Sequence, residues 1–592
     1  MVSTFMQPGT LSITTCKDKT MRTERDNLFA DPTLAGKASK RRKAKSAQVF
    51  KPYQQHQAMV LPPSLEELIP EKHLVRVVNS TIDKLNLEPL LATYKGGGSS
   101  AYHPKMLLKV LIYAYLSKTY ASRQIAKALR QDLHFMWLSG MQRPEFSVLN
   151  LFRSSRLKGV IDQVFGSMVF WLIENRYVDL TKYFVDGTKL RADSNRHRVV
   201  WAKNTKRYKQ IVQQKIRQRL NEIERINAEE NKRYGDKDLE ELGDQTTLTS
   251  EGVKEQVARL NEIITTTTRS KPEAYPPDLP DYSPGSAVRA GVVQAGRMRA
   301  GEPLAQKRTA KAVNELESTL LPKLDKYEQQ EQVLAGRNSY AKTDPDATVF
   351  RTKDGQLLPA YNLLIGTQRQ FIVNYSFHQQ KASESDGFPA HLQRMHSLLG
   401  QYPALVMGDS AYGSEENYAL LAEHQIGNYL KYNSFHLEQK KKYRTNPYRK
   451  ENFPYDAATD TYTCPQGRAV VFKEERTITT DNGYQTSARL YQSVNCSNCP
   501  VAIHCKRGAG NRTILVNRTL DAYRAQARTN LCSERGMALR KQRGMDVEPP
   551  FGDIKFNQGY TRCRLRGQAK VNVEFGLLSI AHNIKKTTRW VN

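Results

Sequence analysis

The sequence predicts an α/β protein of several domains, in which a helical region precedes a mixed sheet with helices. Three observations lead to this fold class. Apolar residues recur at helical spacing between residues 61 and 160, whereas β-branched and aromatic residues form short strand-like runs at 180–190, 347–378 and 403–412. In addition, 592 residues exceed what a single hydrophobic core usually organises, so we expect about two to four domains.

The charge balance is strongly basic. The chain has 90 Lys and Arg residues against 59 Asp and Glu residues, which gives a formal net charge of +31. Such a charge concentrates polyanions, and nucleic acid is favoured because neutralising its phosphates releases counterions. A generally basic protein without a nucleic acid partner has the same composition, and the charge alone leaves both interpretations open.

The apolar pattern and the number of cysteines indicate the cellular compartment in which the protein is expected. No run of 18 apolar residues occurs, so no membrane-spanning helix is predicted. The first residues lack the basic-then-apolar order of a secretory signal, and seven Cys residues are too few for a disulfide scaffold. We therefore expect a reducing, cytoplasmic environment.

The first 57 residues are polar and hold a basic cluster at 40–43. This composition is typical of a flexible tail that contacts phosphates, or of one that only keeps the protein in solution.

Residues 58–175 are predicted to form a helical, DNA-binding domain. The segments 122–129 and 146–157 are short helices separated by tight turns, a pattern found in helix-turn-helix units. Arg123 in the first segment and Arg153 in the second are the candidate DNA contacts. A plain helical bundle has a similar pattern, so that alternative stays open.

Residues 196–340 are charged and mostly of helical pattern, with a Pro-rich break at 275–285. We expect a helical insertion here. Its basic first half is a second candidate for contact with the DNA backbone, although solvated helix faces explain such charge more simply.

Three acidic residues are the candidate catalytic groups. Asp186 and Asp409 each follow a short, buried-looking strand, where a carboxylate is costly unless it lies at the rim or binds something. Phosphoryl transfer between DNA oxygens can use two divalent ions about 4 Å apart, and carboxylates are the hard ligands that hold them. Ordinary turn chemistry is the alternative, because Asp-Gly and Gly-Asp-Ser are common in turns.

The third acid, Glu548, precedes two prolines and is predicted to open or kink a helix. Lys555 lies seven residues on, which returns it to the same helix face after two turns. A surface ion pair is the simpler interpretation of these two residues taken alone.

The segments around these acids resemble the insertion-sequence transposases of the DDE class, in a bacterial branch with a long helical N-terminal region. The matching segments occur in the family's order over residues 55–586, and they are PPSLEELIPEKHLVRVV, YKGGGSSAYHPKMLLKVLIYAY, SRQIAKAL, FVDGTKLRADSN, TDPDA, GDSAYGSEEN and VEPPFGDIK with RCRLRG. The resemblance implies a ribonuclease-H-like catalytic core formed by residues 176–195, 341–434 and 516–592.

The same resemblance implies roles for individual residues. Asp186 and Asp409 would hold two Mg²⁺ or Mn²⁺ ions, Glu548 would complete the site, and Lys555 would contact the DNA backbone. Relatives place a Tyr and an Arg at fixed steps before the Glu, where this chain has Lys541 and Gly544. Two nearby arginines, Arg540 and Arg543, are the candidates to replace them as a phosphate contact.

The activity implied is binding of terminal inverted repeats, metal-dependent cleavage of double-stranded DNA and strand transfer to a target. Because the chemistry takes place at two ends, a homodimer or larger synaptic assembly is expected, in the bacterial cytoplasm and associated with the nucleoid. Two alternatives remain: a catalytically inactive, transposase-derived DNA-binding regulator, and a nuclease without strand transfer.

A cysteine cluster lies in a predicted second insertion at 435–515. Cys464, Cys496, Cys499 and Cys505 follow the spacing C-x31-C-x2-C-x5-C, which suits a structural Zn²⁺ site closed by four thiolates. His504 is an alternative fourth ligand, and thiols that bind nothing are the competing interpretation. The other three cysteines, Cys16, Cys532 and Cys563, are expected to be unrelated free thiols.

Overall fold

The computed structural model describes residues 64–94, 101–234, 248–269, 304–352, 355–379, 385–480 and 483–588. The predicted basic tail at 1–57, the Pro-rich break at 275–285 and Cys16 lie outside these residues. No helix in the described ranges combines the length and the apolar character that crossing a membrane requires.

The described residues that precede the first strand form helices and no strand. They are α1 Leu74–Lys84, α2 Glu88–Leu91, α3 Pro104–Leu116, α4 Ser122–Gln131, α5 Leu133–Leu138, α6 Phe146–Leu151 and α7 Ile161–Glu174. Helix α3 starts as predicted, with Pro104 in its first turn and the His103 side chain accepting from the backbone N–H of Lys105. The helix predicted at 146–157 is present but irregular, because α6 ends at Leu151 and a π-helical turn, Phe152–Arg156, and a 3-10 turn, Leu157–Gly159, follow without a gap.

The predicted strand at 180–190 is confirmed as β1 Tyr183–Arg191, and the predicted helical insertion follows it. The elements of the insertion are β2 Val199–Trp201, α8 Ala202–Tyr234, α9 Ser250–Arg269, α10 Leu304–Glu315, the π-helical turn Leu316–Leu320, α11 Leu321–Leu334 and β3 Ser339–Ala341. Its helices have their own apolar cluster. Strands β2 and β3 pair antiparallel, with Val200 opposite Tyr340, so the insertion is closed at its base.

The remaining core elements are three consecutive strands followed by two strands that alternate with helices. They are β4 Thr348–Arg351, β5 Leu357–Gln368, β6 Phe371–Phe377, α12 Phe388–Leu399, β7 Leu405–Gly408, α13 Glu415–Glu423 and β8 Gly427–Leu430. The sheet has the order β4-β5-β1-β7-β8, with β6 also paired to β5. Strand β1 is antiparallel to β5 and parallel to β7, and β8 is parallel to β7. This mixed α/β sheet is consistent with the expected ribonuclease-H-like core.

The predicted Cys-bearing insertion is a small β-rich region. It contains α14 Phe435–Glu438, α15 Lys441–Arg444, β9 Tyr455–Asp456, β10 Thr461–Thr463, β11 Ala469–Thr479, β12 Gln485–Ser493, α16 Ala502–Cys505 and β13 Thr513–Val516. Its five strands form one antiparallel sheet in the order β13-β12-β11-β10-β9.

Three helices complete the chain: α17 Arg518–Cys532, α18 Glu534–Gly552 and α19 Gln568–Thr588. The π-helical turn Asp553–Asn557 extends α18. Helix α19 is buried along most of its length, and its apolar residues join those of α3, α7 and β6 in one continuous core. The helical N-terminal part and the sheet therefore share a single hydrophobic core.

The TDPDA segment has a local structural role at the start of α19. The Asp344 carboxylate accepts from the backbone N–H of Gly567 at 3.0 Å, and that of Asp346 accepts from Gln568 at 2.7 Å. Negative charge at a helix N-terminus satisfies free N–H groups and opposes the positive end of the helix dipole. These aspartates thus fix the helix that joins the two parts of the core.

Candidate active site

Asp186 and Asp409 lie side by side on neighbouring strands. In the parallel pairing of β1 with β7, Phe184 is opposite Met407, and two further residues along each chain reach the two aspartates. Asp409 follows β7 directly, as predicted. Asp186 is not at a strand end as expected but is the fourth of the nine residues of β1, because β1 continues in its antiparallel pairing with β5. Asp186 nevertheless lies past Tyr183 and Phe184, the two residues of β1 that pair with β7.

The guanidinium of Arg543 on α18 lies between the two carboxylates. Its Nη2 is 3.1 Å from Asp186 Oδ2 and 4.0 Å from Asp409 Oδ2. The Arg543 side chain is only 13% exposed. One cationic group therefore neutralises carboxylates from two different strands, which shows that both carboxylates converge on the same small volume.

A second cation, Lys431, approaches Asp409 from another side. It directly follows β8, is buried, and places its Nζ 3.7 Å from Asp409 Oδ1. Burial lowers the pKa of Lys431, and the positive charge of Arg543 lowers it further. Burial alone would raise the pKa of Asp409, but the backbone N–H of Ser410 and the charges of Arg543 and Lys431 bring it below its usual value.

Sequence reasoning missed Lys431. The available signal is a lysine within the strand-like run IGNYLKYN, which follows the strand and helix of Asp409 in the sequence. A charged residue there deserved the same attention as the strand-end aspartates, because a buried charge needs a partner.

Lys555 lies next to the first aspartate. It belongs to the π-helical turn Asp553–Asn557, and its Nζ donates a hydrogen bond to the hydroxyl of Thr188. Thr188 is two residues beyond Asp186 on β1, so both side chains point to the same face of the sheet. The structure thus brings together Asp186, Asp409, Arg543, Lys431 and Lys555.

Glu548 is not brought into this group. It is exposed on α18, and the described residues contain no group of three His, Cys, Asp or Glu side chains that could hold a metal ion. Its role as third metal ligand stays a prediction.

The expectation that Glu548 opens a helix is wrong, because α18 runs through Pro549 and Pro550 without ending. Proline 549 has no N–H to donate to the carbonyl of Met545, and the side-chain amide of Gln370 donates to that carbonyl instead, at 2.9 Å. A partner from a neighbouring strand turn thus satisfies the carbonyl that the proline leaves open.

Two further predicted DNA contacts differ in exposure: Arg540 is half-buried and Arg123 is exposed. Arg540 is one turn before Arg543 on α18, with its guanidinium 5.3 Å from the ring centre of Phe435. Arg123 is exposed on α4, 5.0 Å from the ring centre of Phe146. Neither placement prevents contact with a phosphate.

The placement of Arg153 does not agree with its predicted DNA contact. The residue is 4% exposed and donates to the carbonyl of Tyr120 at 3.0 Å, the hydroxyl of Ser122 at 3.2 Å and the hydroxyl of Tyr115 at 3.3 Å. Its charge also lowers the pKa of the fully buried Glu574 on α19, which burial raises. Arg153 is therefore an interior charge that holds α19 against the N-terminal helices.

The four clustered cysteines line a single small cavity of about 20 Å³. The backbone N–H of Arg512 donates to Cys496 Sγ at 3.2 Å. Burial raises the pKa of the Cys505 thiol, and the three other cysteines raise it further, as expected for neighbouring groups that would carry like charge. Cys532 is exposed and Cys563 buried, each as a free thiol.

The two aspartates and the four cysteines differ in how well their arrangement suits a metal ion. Across the ranges that the structure describes, no group of three or more His, Cys, Asp or Glu side chains has the arrangement of a formed metal site. The two aspartates suit a divalent cation, because their Oδ2 atoms already converge on one positively charged atom. The cysteines supply the right ligand chemistry for zinc, but they are not arranged as a closed site.

Two family models match the chain. One is described as Transposase DDE domain and matches residues 463–588, which include Arg543, Glu548 and Lys555. The other is described as Transposase domain (DUF772) and matches residues 63–155, the N-terminal helices. No curated protein and no solved structure matches the chain.

Proposed function

We propose that this chain, an insertion-sequence DDE-type transposase, cuts DNA at the terminal inverted repeats of its element and joins the freed ends to a target. The observation that carries the proposal is the convergence of Asp186 and Asp409 on one cationic group, with Lys431 and Lys555 beside them. The two adjacent carboxylates provide ligands for divalent cations, and the basic residues around them attract phosphate.

In the proposed reaction, Asp186 and Asp409 hold Mg²⁺ or Mn²⁺, with Glu548 as the proposed third ligand. When bound, these ions activate the attacking oxygen and stabilise the leaving one. In the first step the oxygen of water bonds to phosphorus and the bond from phosphorus to the 3′ oxygen breaks, which leaves a 3′-hydroxyl. In the second step that hydroxyl attacks a target phosphate in the same way.

The chain's own cations position the DNA. Lys555 is held beside Asp186 by Thr188, so its ammonium group is placed to contact a phosphate next to the reacting one. Arg540, one turn from Arg543, is the further candidate for a backbone contact. We assign recognition of the repeats to the N-terminal helices, with Arg123 as one exposed contact, in a homodimer or larger assembly within the bacterial nucleoid.

The experiment uses the purified chain and a plasmid carrying the element's two ends. We expect cleavage at the ends with Mg²⁺, none with a chelator, and joined products when target DNA is added. Binding of the ends without any cleavage would contradict the proposal in favour of a regulator. Cleavage without joined products would indicate a nuclease without strand transfer.

Removal of the charge at Lys555 tests the phosphate contact. For Lys555→Met we expect about a tenfold weaker affinity for an end duplex in chelator, and a salt dependence reduced by about one released counterion. Fluorescence anisotropy at several salt concentrations measures both. The matched control is Thr188→Val, which keeps the charge and loses only the hydrogen bond. An unchanged salt dependence in Lys555→Met would contradict the contact.

We also propose that Cys464, Cys496, Cys499 and Cys505 bind a structural Zn²⁺ ion. Support comes from their shared cavity, which Arg468, Lys506 and Arg512 also line. These basic residues would offset the negative charge of four thiolates. Zinc would then stabilise the five-stranded sheet, whose hydrophobic core includes Cys464 and Cys505 at its edge.

Elemental analysis tests this site. We expect about one zinc per chain, and we expect the double variant Cys496→Ser/Cys499→Ser to lose it and to melt about 5 °C lower or more. Cys532→Ser, which changes an exposed thiol outside the cluster, is the control and should change neither value. Wild-type protein that contains no zinc, and that gains no stability on adding it, would contradict the proposal.

A further inference from the structure

We infer that Arg543 is a built-in counterion of the two aspartates. Divalent cations must displace its guanidinium from the carboxylates, and the DNA phosphate binds the displaced guanidinium. This inference rests on the proposed function, because it assigns metal binding to Asp186 and Asp409. It makes metal loading depend on bound DNA.

The nitrogen of Arg543 that faces both aspartates lies where a cation shared by them would bind. A single nitrogen, Arg543 Nη2, faces Oδ2 of both aspartates, at 3.1 and 4.0 Å. A cation held by the same two oxygens would have to occupy the same space. The guanidinium and a divalent cation therefore exclude each other.

Lys431 does not compete in the same way. It faces Asp409 Oδ1, whereas Arg543 faces Oδ2, so Lys431 can stay in place when Arg543 leaves. Arg543 contacts the aspartates of both strands. Its displacement is accordingly the step that opens the site.

A displaced guanidinium needs a new anionic partner. The Arg543 side chain is mostly buried, and its Nε has no hydrogen-bond partner among the described residues. A phosphate entering the site would supply acceptors for a planar, two-pronged donor, which suits arginine better than lysine. DNA and metal then stabilise the same arrangement, so each must increase the affinity for the other.

The experiment measures Mn²⁺ binding by calorimetry on the full chain, with and without a duplex that ends in the already cut terminus. Without DNA, Arg543→Gln should bind Mn²⁺ about tenfold more tightly than wild type, as expected when a charge-assisted contact is lost. In wild type the duplex should increase the affinity for Mn²⁺ by a similar factor. In Arg543→Gln that increase should fall to about twofold or less.

Two control variants separate displacement from a general change of charge. Arg535→Gln removes the same charge from an exposed position about two turns earlier on α18, and it should keep the DNA-dependent increase. Arg543→Lys supplies a single point charge on a shorter reach and should give intermediate values. It also keeps the inference testable if Arg543→Gln fails to fold.

The outcomes distinguish this inference from the proposed function. If Mn²⁺ binding is lost in Asp186→Asn/Asp409→Asn but is no tighter in Arg543→Gln than in wild type, the inference is overturned and the metal site stands. If the Asp double variant binds Mn²⁺ as wild type does, the site assignment fails and the inference falls with it.

Discussion

Replacing Asp409 with Asn is expected to reduce Mg²⁺-dependent cleavage of the element's ends by about a thousandfold or more, and Asp186→Asn should do the same. Each change removes a carboxylate from a two-acid site, and the neutral amide is a weak ligand for a hard cation. The substitution keeps the size of the side chain, so the fold should be retained. Single-turnover cleavage of a labelled end duplex measures the effect.

DNA binding separates lost chemistry from lost structure. Both variants should bind the end duplex in chelator at least as tightly as wild type, because removing negative charge does not weaken attraction to phosphate. The control is Asp456→Asn, an exposed change in β9, which should cleave normally. Cleavage within about tenfold of wild type in either aspartate variant would show that the residue is not a metal ligand. Glu548→Gln in the same assay decides whether the third acid is correctly assigned.

Replacing Arg153 with Leu is expected to destabilise the protein by about 3–5 kcal/mol, because the change removes buried hydrogen bonds to Tyr115, Tyr120 and Ser122 and the positive charge that offsets the buried Glu574. Glu574 is fully buried and accepts hydrogen bonds from the backbone N–H groups of Arg564 and Leu565, at 2.9 and 3.0 Å. Denaturant unfolding measures the effect. The double variant Arg153→Leu/Glu574→Gln should recover part of the lost stability, since neither charge then remains buried.

Arg156→Leu is the matched control, since Arg156 lies one turn away, is exposed, and donates to the carbonyl of Thr93. It should cost less than about 1 kcal/mol. For Arg153→Leu, the affinity of the folded protein for DNA should equal that of wild type. A weaker affinity at unchanged stability would restore the DNA contact that the sequence predicted.

Some features of the fold and of the candidate site could be predicted from the sequence alone. The family resemblance rested on an ordered set of short segments, and the two transposase matches confirm it. The strand that ends before Asp409 could be predicted because a short apolar run followed by Gly-Asp-Ser has few other interpretations. The exact position of Asp186 could not, since only the antiparallel pairing with β5 extends β1 beyond it.

Other features depend on partners that are distant in sequence. A helical pattern shows which residues share a face, but not which face is buried, so the sequence predicts Arg153 at the surface although its hydrogen-bond partners are buried. The contact of Arg543 with both aspartates depends on how α18 packs across the sheet. Strands β2 and β3 are three residues each, too short to produce an alternating pattern.

The paired strands β2 and β3 also bear on how this protein can diversify. Because the incoming and outgoing chain segments are hydrogen-bonded to each other, changes within residues 202–338 need not alter the register of β1 against β7. The helices of the insertion pack on their own apolar cluster, so their lengths are not tied to the sheet. We therefore expect that length changes in these helices leave the spacing of the two aspartates unaltered. The paired strands thus separate the helices between them from the sheet that carries the two aspartates.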